Sequence, residues 1–248
     1  MFYEQRIRIL KSNHISLGGG EPTINRYFFE IFSFVDSLDK DITLLTNGRS
    51  FASKRFLREF YKVLGHKNNL KIAVPLYGDT PEKHDSITRT PGSFRQTIVG
   101  LKFLLRKGLF LELRVVVNQL NLHLLEDIVL FIKKNLKGIN RLVFINLKVT
   151  GEAFKNRERL IIPNTKAVER VISAVDLAIG GIPEIRLFHF PFCVVPRNYW
   201  KFVEGISAPK DQIYFKKECS ICKMKQRCPG IWKSYVDIVG DSEFCSIN

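Results

Sequence analysis

Residues 15–25 read ISLGGGEPTIN. The apolar run Ile15-Ser16-Leu17 is short and fits a buried strand better than a helix. It closes on Gly18-Gly19-Gly20, followed by one acidic side chain, Glu21, and by Pro22. Glycine adopts backbone conformations closed to other residues and lets a ligand or a second chain segment come close. A strand that ends on glycines and runs into a helix start is the opening half of a βα unit. Glu21 sits either where it can bond a polar ligand or where the dipole of the next helix favours a carboxylate.

The unit repeats along the chain. NRYFFEIFSFVDSL (25–38) has helical spacing, with Asn25 expected to cap it. DITLLTNG (41–48) reads as a strand, SFASKRFLREFYKVLG (50–65) as a helix stopped by Gly65, and LKIAVPLYG (70–78) as the next strand. In the helix 93–108, Ser93 and Gln96 are spaced for a capping box and Gly108 for a stop. Then follow the strand LFLELRVVVN, the helix NLHLLEDIVLFIKKNLKG, the strand NRLVFINLKV and a helix over 164–178. Strands separated by helices of this length predict a parallel sheet with right-handed crossovers.

Composition narrows the class. The 248 residues are 45% hydrophobic and 25% charged, as in ordinary globular proteins. No apolar stretch is long enough for a membrane span, the start MFYEQRIRILKSNH is too charged for a secretory signal, and a cytoplasmic location is expected. Lys and Arg number 39 against 24 Asp and Glu, a net +15 that favours anionic partners, nucleic acid and acidic peptides among them. The surplus is spread along the chain, which fits a generally basic surface equally well.

In parallel α/β folds ligands sit beyond the carboxyl ends of the strands. Those ends here are GGGEPT, TNGR, YGDTPEKHD, VNQLN and KVTGEAF. Glu21, Asn47, Asp79 and Asn118 can bond a polar cofactor there, although plain βα turns account for some of these segments. The five cysteines all lie late. Cys193 is in FHFPFCVVP; Cys219, Cys222 and Cys228 form CSICKMKQRC, a CxxCx5C array; Cys245 is near the end. CxxC brings two thiolates to one metal, and a third cysteine six residues on closes a three-ligand clamp. With Cys193 or Cys245 as fourth ligand, the set suits zinc or a four-iron cluster, which spacing does not separate. Lys216, Lys217, Lys223, Lys225 and Arg227 surround the array and offset thiolate charge. Phe188, Phe190 and Phe192 read as core-facing residues rather than base-stacking platforms.

In order along the chain, these segments resemble the radical S-adenosylmethionine (radical SAM) enzymes. GGGEPT resembles their glycine-rich motif, and TLLTNG and VPLYGDTPEKHDSITRTPGSFRQTIVGLKFLLRKG resemble the next two βα segments of their partial (β/α)6 barrel. LELRVVVNQLN resembles the fifth strand, and PFC followed by CSICKMKQRCPGIWKSY resembles the auxiliary-cluster tail of the SPASM and Twitch subfamilies. The resemblance implies an α/β fold: an incomplete (β/α)6 barrel over 1–190 and a cysteine-rich auxiliary iron–sulfur extension over 191–248. It implies that Gly19, Gly20, Glu21 and Pro22 meet the amino group of SAM. Thr46, Asn47, Tyr77, Gly78, Asn118 and Asn121 are then placed along the rest of the cofactor. Cys193, Cys219, Cys222 and Cys228 become the ligands of an auxiliary [4Fe-4S] cluster, with zinc the alternative, and a peptide or protein the substrate. An RNA-modifying relative and a non-enzymatic peptide- or nucleic-acid-binding module with a structural zinc are the competing readings.

The family's CxxxCxxC, which binds the SAM-cleaving cluster, normally precedes the glycine-rich strand. Seventeen residues precede Gly18 here, and none is cysteine. The first strand and cluster loop are therefore expected to have no counterpart, through truncation or degeneration. SAM binding is expected to be weak or lost, and reductive SAM cleavage absent. The opening segment, with Phe2, Tyr3, Ile7, Ile9 and Leu10, is the candidate cover for the edge of the first strand, its packing partners are partly gone, and an aggregation-prone or dimerising protein is expected.

Overall fold

A computed structural model of the chain describes residues 12–65, 69–205 and 208–248. The strands are β1 (His14–Leu17), β2 (Asp41–Leu45), β3 (Leu70–Pro75), β4 (Phe110–Val117), β5 (Arg141–Asn146) and β6 (Glu184–Phe188). Among the described residues they form one six-stranded sheet in chain order, and every pair is parallel. Register carries one apolar row across it: Leu17 pairs Leu44, Leu44 pairs Ile72, and Ile72 pairs Leu111. The expected α/β class and parallel sheet are those observed. The edge cover expected from Phe2 to Leu10 lies outside the described residues.

Helices follow the strands: α1 (Phe28–Asp36), α2 (Lys54–Val63), α3 (Pro81–Thr88), α4 (Ser93–Leu105), α5 (Leu125–Asn135), two short turns α6 (Glu152–Lys155) and α7 (Arg157–Leu160), and α8 (Asn164–Ala178). Right-handed crossovers between strands in sequential order put connecting helices on one face of the sheet. That face is the core: Leu44, Ile72, Val74, Leu111, Leu113, Val115, Leu142, Phe144 and Leu187 are fully buried, packed with helix residues such as Phe32, Phe60, Leu101, Ile128 and Val171. The other face carries Lys71, Glu112, Arg114, Arg141, Glu184 and Arg186. There the carboxylate of Glu112, 1% exposed, accepts from Arg114 Nε at 2.6 Å and Arg141 NH1 at 3.0 Å, with Lys71 Nζ at 4.0 Å. A buried charge is tolerable when held this way.

Several local expectations shift. Helix α1 starts at Phe28, because Pro22 sets a 3-10 turn over Pro22–Ile24. Asn25 closes that turn, its Oδ1 accepting from Tyr27 N at 2.9 Å, and does not cap α1. Ser93 is the first residue inside α4, and the Ser93–Gln96 box does not form. The carboxylate of Asp85 takes over the capping, accepting from Gly92 N at 2.6 Å, Phe94 N at 2.8 Å and Ser93 Oγ at 2.7 Å. Helix α3, capped by Thr80, was not read from the sequence; its polar residues PEKHDSIT lack an apolar stripe. Phe190 and Phe192 are buried as expected, beyond β6, while Phe188 is half-buried within it.

The tail builds a second, smaller core. β7 (Ile213–Tyr214) pairs antiparallel with β8 (Ile231–Trp232), followed by α9 (Lys233–Val239). Ile213, Ile231, Trp232, Tyr235 and Phe244 bury one another. Trp232 Nε1 donates to Asn146 O at 3.3 Å, and its ring lies 4.2 Å from that of His189, joining the tail to the end of the sheet. Among the described residues no helix is long and apolar enough to cross a membrane.

Candidate functional site

The opening glycines have separate reasons. Gly19 has φ +133°, a conformation that L side chains rarely adopt. Gly18, Gly19 and Gly20 are exposed at the end of β1. Glu21 is turned into the fold. Its Oε1 accepts from Thr23 N at 3.1 Å, Thr23 Oγ1 at 2.5 Å and Thr46 Oγ1 at 2.7 Å, and its Oε2 accepts from Asn47 N at 2.7 Å. The carboxylate thus caps the 3-10 turn and pins the end of β2 to the end of β1. Thr46 is buried in this contact.

Beyond the ends of β2 to β5 lies a cleft of about 770 Å³, within the usual range of small-molecule sites. Of the ten side chains and glycines expected at a cofactor, Asn47, Tyr77 and Asn118 line it. Gly78 has a packing role: a Cβ there would fall 2.7 Å from His84 N and 2.7 Å from Lys83 Cβ, so glycine lets α3 close onto β3. Asn121 is fully buried, its Oδ1 accepting from Asn118 N at 2.9 Å and its Nδ2 donating to Val116 O at 2.9 Å. Asn118 also bonds within its own turn, to Val116 O and Leu120 N. Gly19, Gly20, Glu21, Pro22, Thr46, Gly78 and Asn121 are not in the cleft wall.

The sequence did not single out His84, which lines the cleft while being 2% exposed. Tyr77 N donates to its Nδ1 at 3.3 Å, so the neutral ring carries its proton on Nε2. Burial pushes its pKa down to about 4, and burial likewise raises that of Tyr77. The signal was the phrase KHD in a polar strand end, which periodicity passes over.

The cysteines meet elsewhere, at the tail. Cys193, Cys219, Cys222, Cys228 and Cys245 line a single narrow pocket, with Phe192, Ile231 and Phe244 among its apolar walls. The first four are partly buried and Cys245 is exposed. Backbone amides donate to two of these thiols: Ile247 N to Cys222 Sγ and Gly230 N to Cys228 Sγ, each at 3.4 Å. Such donors favour a thiolate. Burial works against it, pushing Cys193 up to about 11 and raising Cys219 and Cys228. Among the described residues, no three His, Cys, Asp or Glu side chains converge on a position for a single metal ion.

No family profile matches the chain. It is 31% identical over 196 residues to proteins named probable GTP 3',8-cyclase from Saccharolobus islandicus strains, among them L.S.2.15 and M.14.25, across 74% of this chain. It spans about half the length of these curated relatives, 56%. Among solved structures, Streptococcus suis SuiB bound to S-adenosylmethionine superposes over 99% of this chain and 68% of its own, with TM-score 0.63 and 14% identity. SuiB bound to precursor peptide SuiA aligns over 74% of this chain and 40% of its own, with TM-score 0.59 and 15% identity. A domain of pyruvate-formate lyase-activating enzyme from Bacteroides vulgatus aligns over 70% of this chain and 97% of its own, with TM-score 0.53 and 10% identity.

Proposed function

We propose that the chain is a radical SAM-like protein whose parallel sheet opens a substrate cleft with SAM binding weak or lost, and whose tail (191–248) carries an auxiliary [4Fe-4S] cluster. The similarity to the named cyclases and the fold shared with SuiB and the lyase-activating enzyme support the radical SAM superfamily. SPASM or Twitch character rests on the tail.

The observation that carries the cluster is the meeting of all five cysteines, from Cys193 to Cys245, around one pocket. A tetrahedral zinc needs its sulfurs at about 2.3 Å from one point, whereas a cluster spreads its cysteines over several irons. The likeness of CSICKMKQRCPG to auxiliary-cluster tails favours the second. Backbone amides donating to Cys222 and Cys228, and the partial burial of these two with Cys193 and Cys219 while Cys245 is exposed, favour these four over Cys245 as ligands. A cluster held there supplies a one-electron centre whose potential such amide bonds tune.

Of the expected SAM contacts, Asn47 and Tyr77 are placed to meet a ligand in the cleft. Gly19 and Gly20 are exposed at the end of β1, and Glu21 and Thr46 tie the ends of β1 and β2 together. A peptide or protein is one substrate reading, supported by the peptide bound to SuiB. A second reading, a small anionic substrate, is favoured by Arg49, Arg89 and Arg159, which line the cleft. The comparisons offer no support for nucleic acid.

Serine replacement after anaerobic reconstitution tests the ligand set. Loss of iron–sulfur absorption in Cys193→Ser, Cys219→Ser, Cys222→Ser and Cys228→Ser, with retention in Cys245→Ser, is the expected pattern. Retention in Cys222→Ser together with loss in Cys245→Ser would overturn it.

A further inference from the structure

We infer that the tail docks a small acidic electron-carrier protein on a face made by Lys217, Ile221, Lys223, Lys225 and Arg227. Within this segment the cysteines and the residues between them are sorted to opposite sides. Cys219, Cys222 and Cys228 line the pocket, whereas Lys217, Ile221, Lys223, Lys225 and Arg227 are exposed. Tight turns keep the exposed set together: Cys222 N donates to Cys219 O at 3.3 Å, Lys225 N to Cys222 O at 3.1 Å, and Arg227 N to Met224 O at 3.0 Å. Lys216, half-buried, turns inward, its Nζ 3.9 Å from the Asp241 carboxylate. Among the described residues ion pairs hold Lys83, Lys155 and Lys216 but none of the four cations of this face. Arg227 is steadied instead by the Phe192 ring of the pocket wall, 5.9 Å from its guanidinium.

The apolar member of the face is the second observation. Ile221 is 73% exposed, between cations on both sides and with Glu218 the one carboxylate of the segment. An apolar centre inside a charged rim is the anatomy of a protein interface. Residues 217–227 include no aromatic side chain, so the face lacks the stacking platforms that hold nucleic-acid bases. Its charge selects an acidic surface and speeds encounter with it. Lys225 belongs both to this face and to the wall of the cysteine pocket, so a partner seated here lies against the cysteines. Encounters between electron-transfer proteins are small and weak, the scale that a face of one short segment suits. The electron-carrying character of the partner rests on the proposed cluster; the face itself does not.

The full chain, purified without oxygen and with its metal and sulfide content measured, is titrated by calorimetry at low salt with an acidic [2Fe-2S] ferredoxin. Saturable binding is expected, falling as salt is added. Lys223→Glu with Lys225→Glu should weaken it about tenfold, and Ile221→Ser, which changes no charge, about fivefold. Lys54→Glu with Arg58→Glu reverses two exposed cations on α2 and should bind as the wild type does. All of these variants should melt with the wild type, because the side chains changed are exposed. Ferredoxin bound by a chain that holds zinc and no sulfide would leave an acidic partner on this face but overturn its electron-carrying role. Iron and sulfide present with no ferredoxin bound would leave the cluster and overturn the face. Two further results overturn it: equal weakening by the α2 variant, which would mean undirected charge, or a single-stranded oligonucleotide binding as tightly as ferredoxin, which would mean nucleic acid.

Discussion

Glu21 in ISLGGGEPTIN fills the helix-start reading and does more. It caps a turn, as a carboxylate at a helix start does, and it also bonds Thr46 and Asn47 on the neighbouring strand end. Hydrogen bonds to a charged group contribute about 1.5–3 kcal/mol each way of counting. Glu21→Ala should therefore lower stability by about 2–3 kcal/mol in urea denaturation; a loss under about 0.5 kcal/mol would show that the clamp is idle. His84 makes a pH prediction. Burial pushes its folded pKa down to about 4, below the ordinary histidine value of 6.5. Between these values the unfolded chain binds the extra proton, so stability is complete above pH 6.5 and falls as pH drops toward 4. The fall is about 3 kcal/mol for a shift of this size. His189, also pushed down to about 4 by burial with Lys148 and Arg114 adding to it, acts in the same direction. Urea midpoints followed from pH 7 to 4 check this, and His84→Asn should flatten the slope. An equal slope in that variant would rule out His84 as the titrating group.

At the scale of elements, the C-terminal tail caps a helix of the sheet layer. Glu243 accepts from Asn164 N at 3.0 Å, Thr165 N at 2.8 Å and Thr165 Oγ1 at 3.1 Å, and Tyr235 OH bonds the same carboxylate. Helix α8 has no side-chain cap of its own at Pro163, so it borrows one across 79 residues of chain. Glu243→Ala should cost about 1–2 kcal/mol and speed amide exchange in both the first turn of α8 and residues 241–248. Faster exchange in α8 alone would show that the tail is anchored elsewhere. This long-range cap was invisible in the sequence, as was the capping of α4 by Asp85, because local spacing cannot announce a carboxylate from another element. The parallel sheet was legible for the opposite reason: β1 to β5 each show as apolar runs ending in glycine or asparagine, and the pattern is local. Helix α3 was missed because it is polar and held by Thr80 and Asp85 rather than by an apolar stripe. Within the site, Asn47, Tyr77 and Asn118 were legible as strand-end polar residues, but burial decided that Asn121 serves its turn, and only the fold brought Arg49, Arg89 and Arg159 to one cleft.

The whole molecule joins a one-sided parallel sheet to a small apolar tail through Trp232, His189 and Glu243. The sheet places the cleft at its carboxyl edge, and the tail folds five cysteines, 52 positions apart at their extremes (193 to 245), around one pocket. The tail's own core is the small group around Ile213, Trp232 and Phe244. A core of that size gains from a metal centre, whose binding energy becomes folding energy. Removal of the metal by a chelator should therefore release residues 208–248 to faster amide exchange while β2 to β5 stay protected; unchanged tail protection would separate the cysteines from the tail's folding. The most direct measurement is the iron, sulfide and zinc content of the full chain purified without oxygen. The proposed function requires about four irons and four sulfides per chain, lost in Cys222→Ser. Zinc at about one per chain with no sulfide would contradict it.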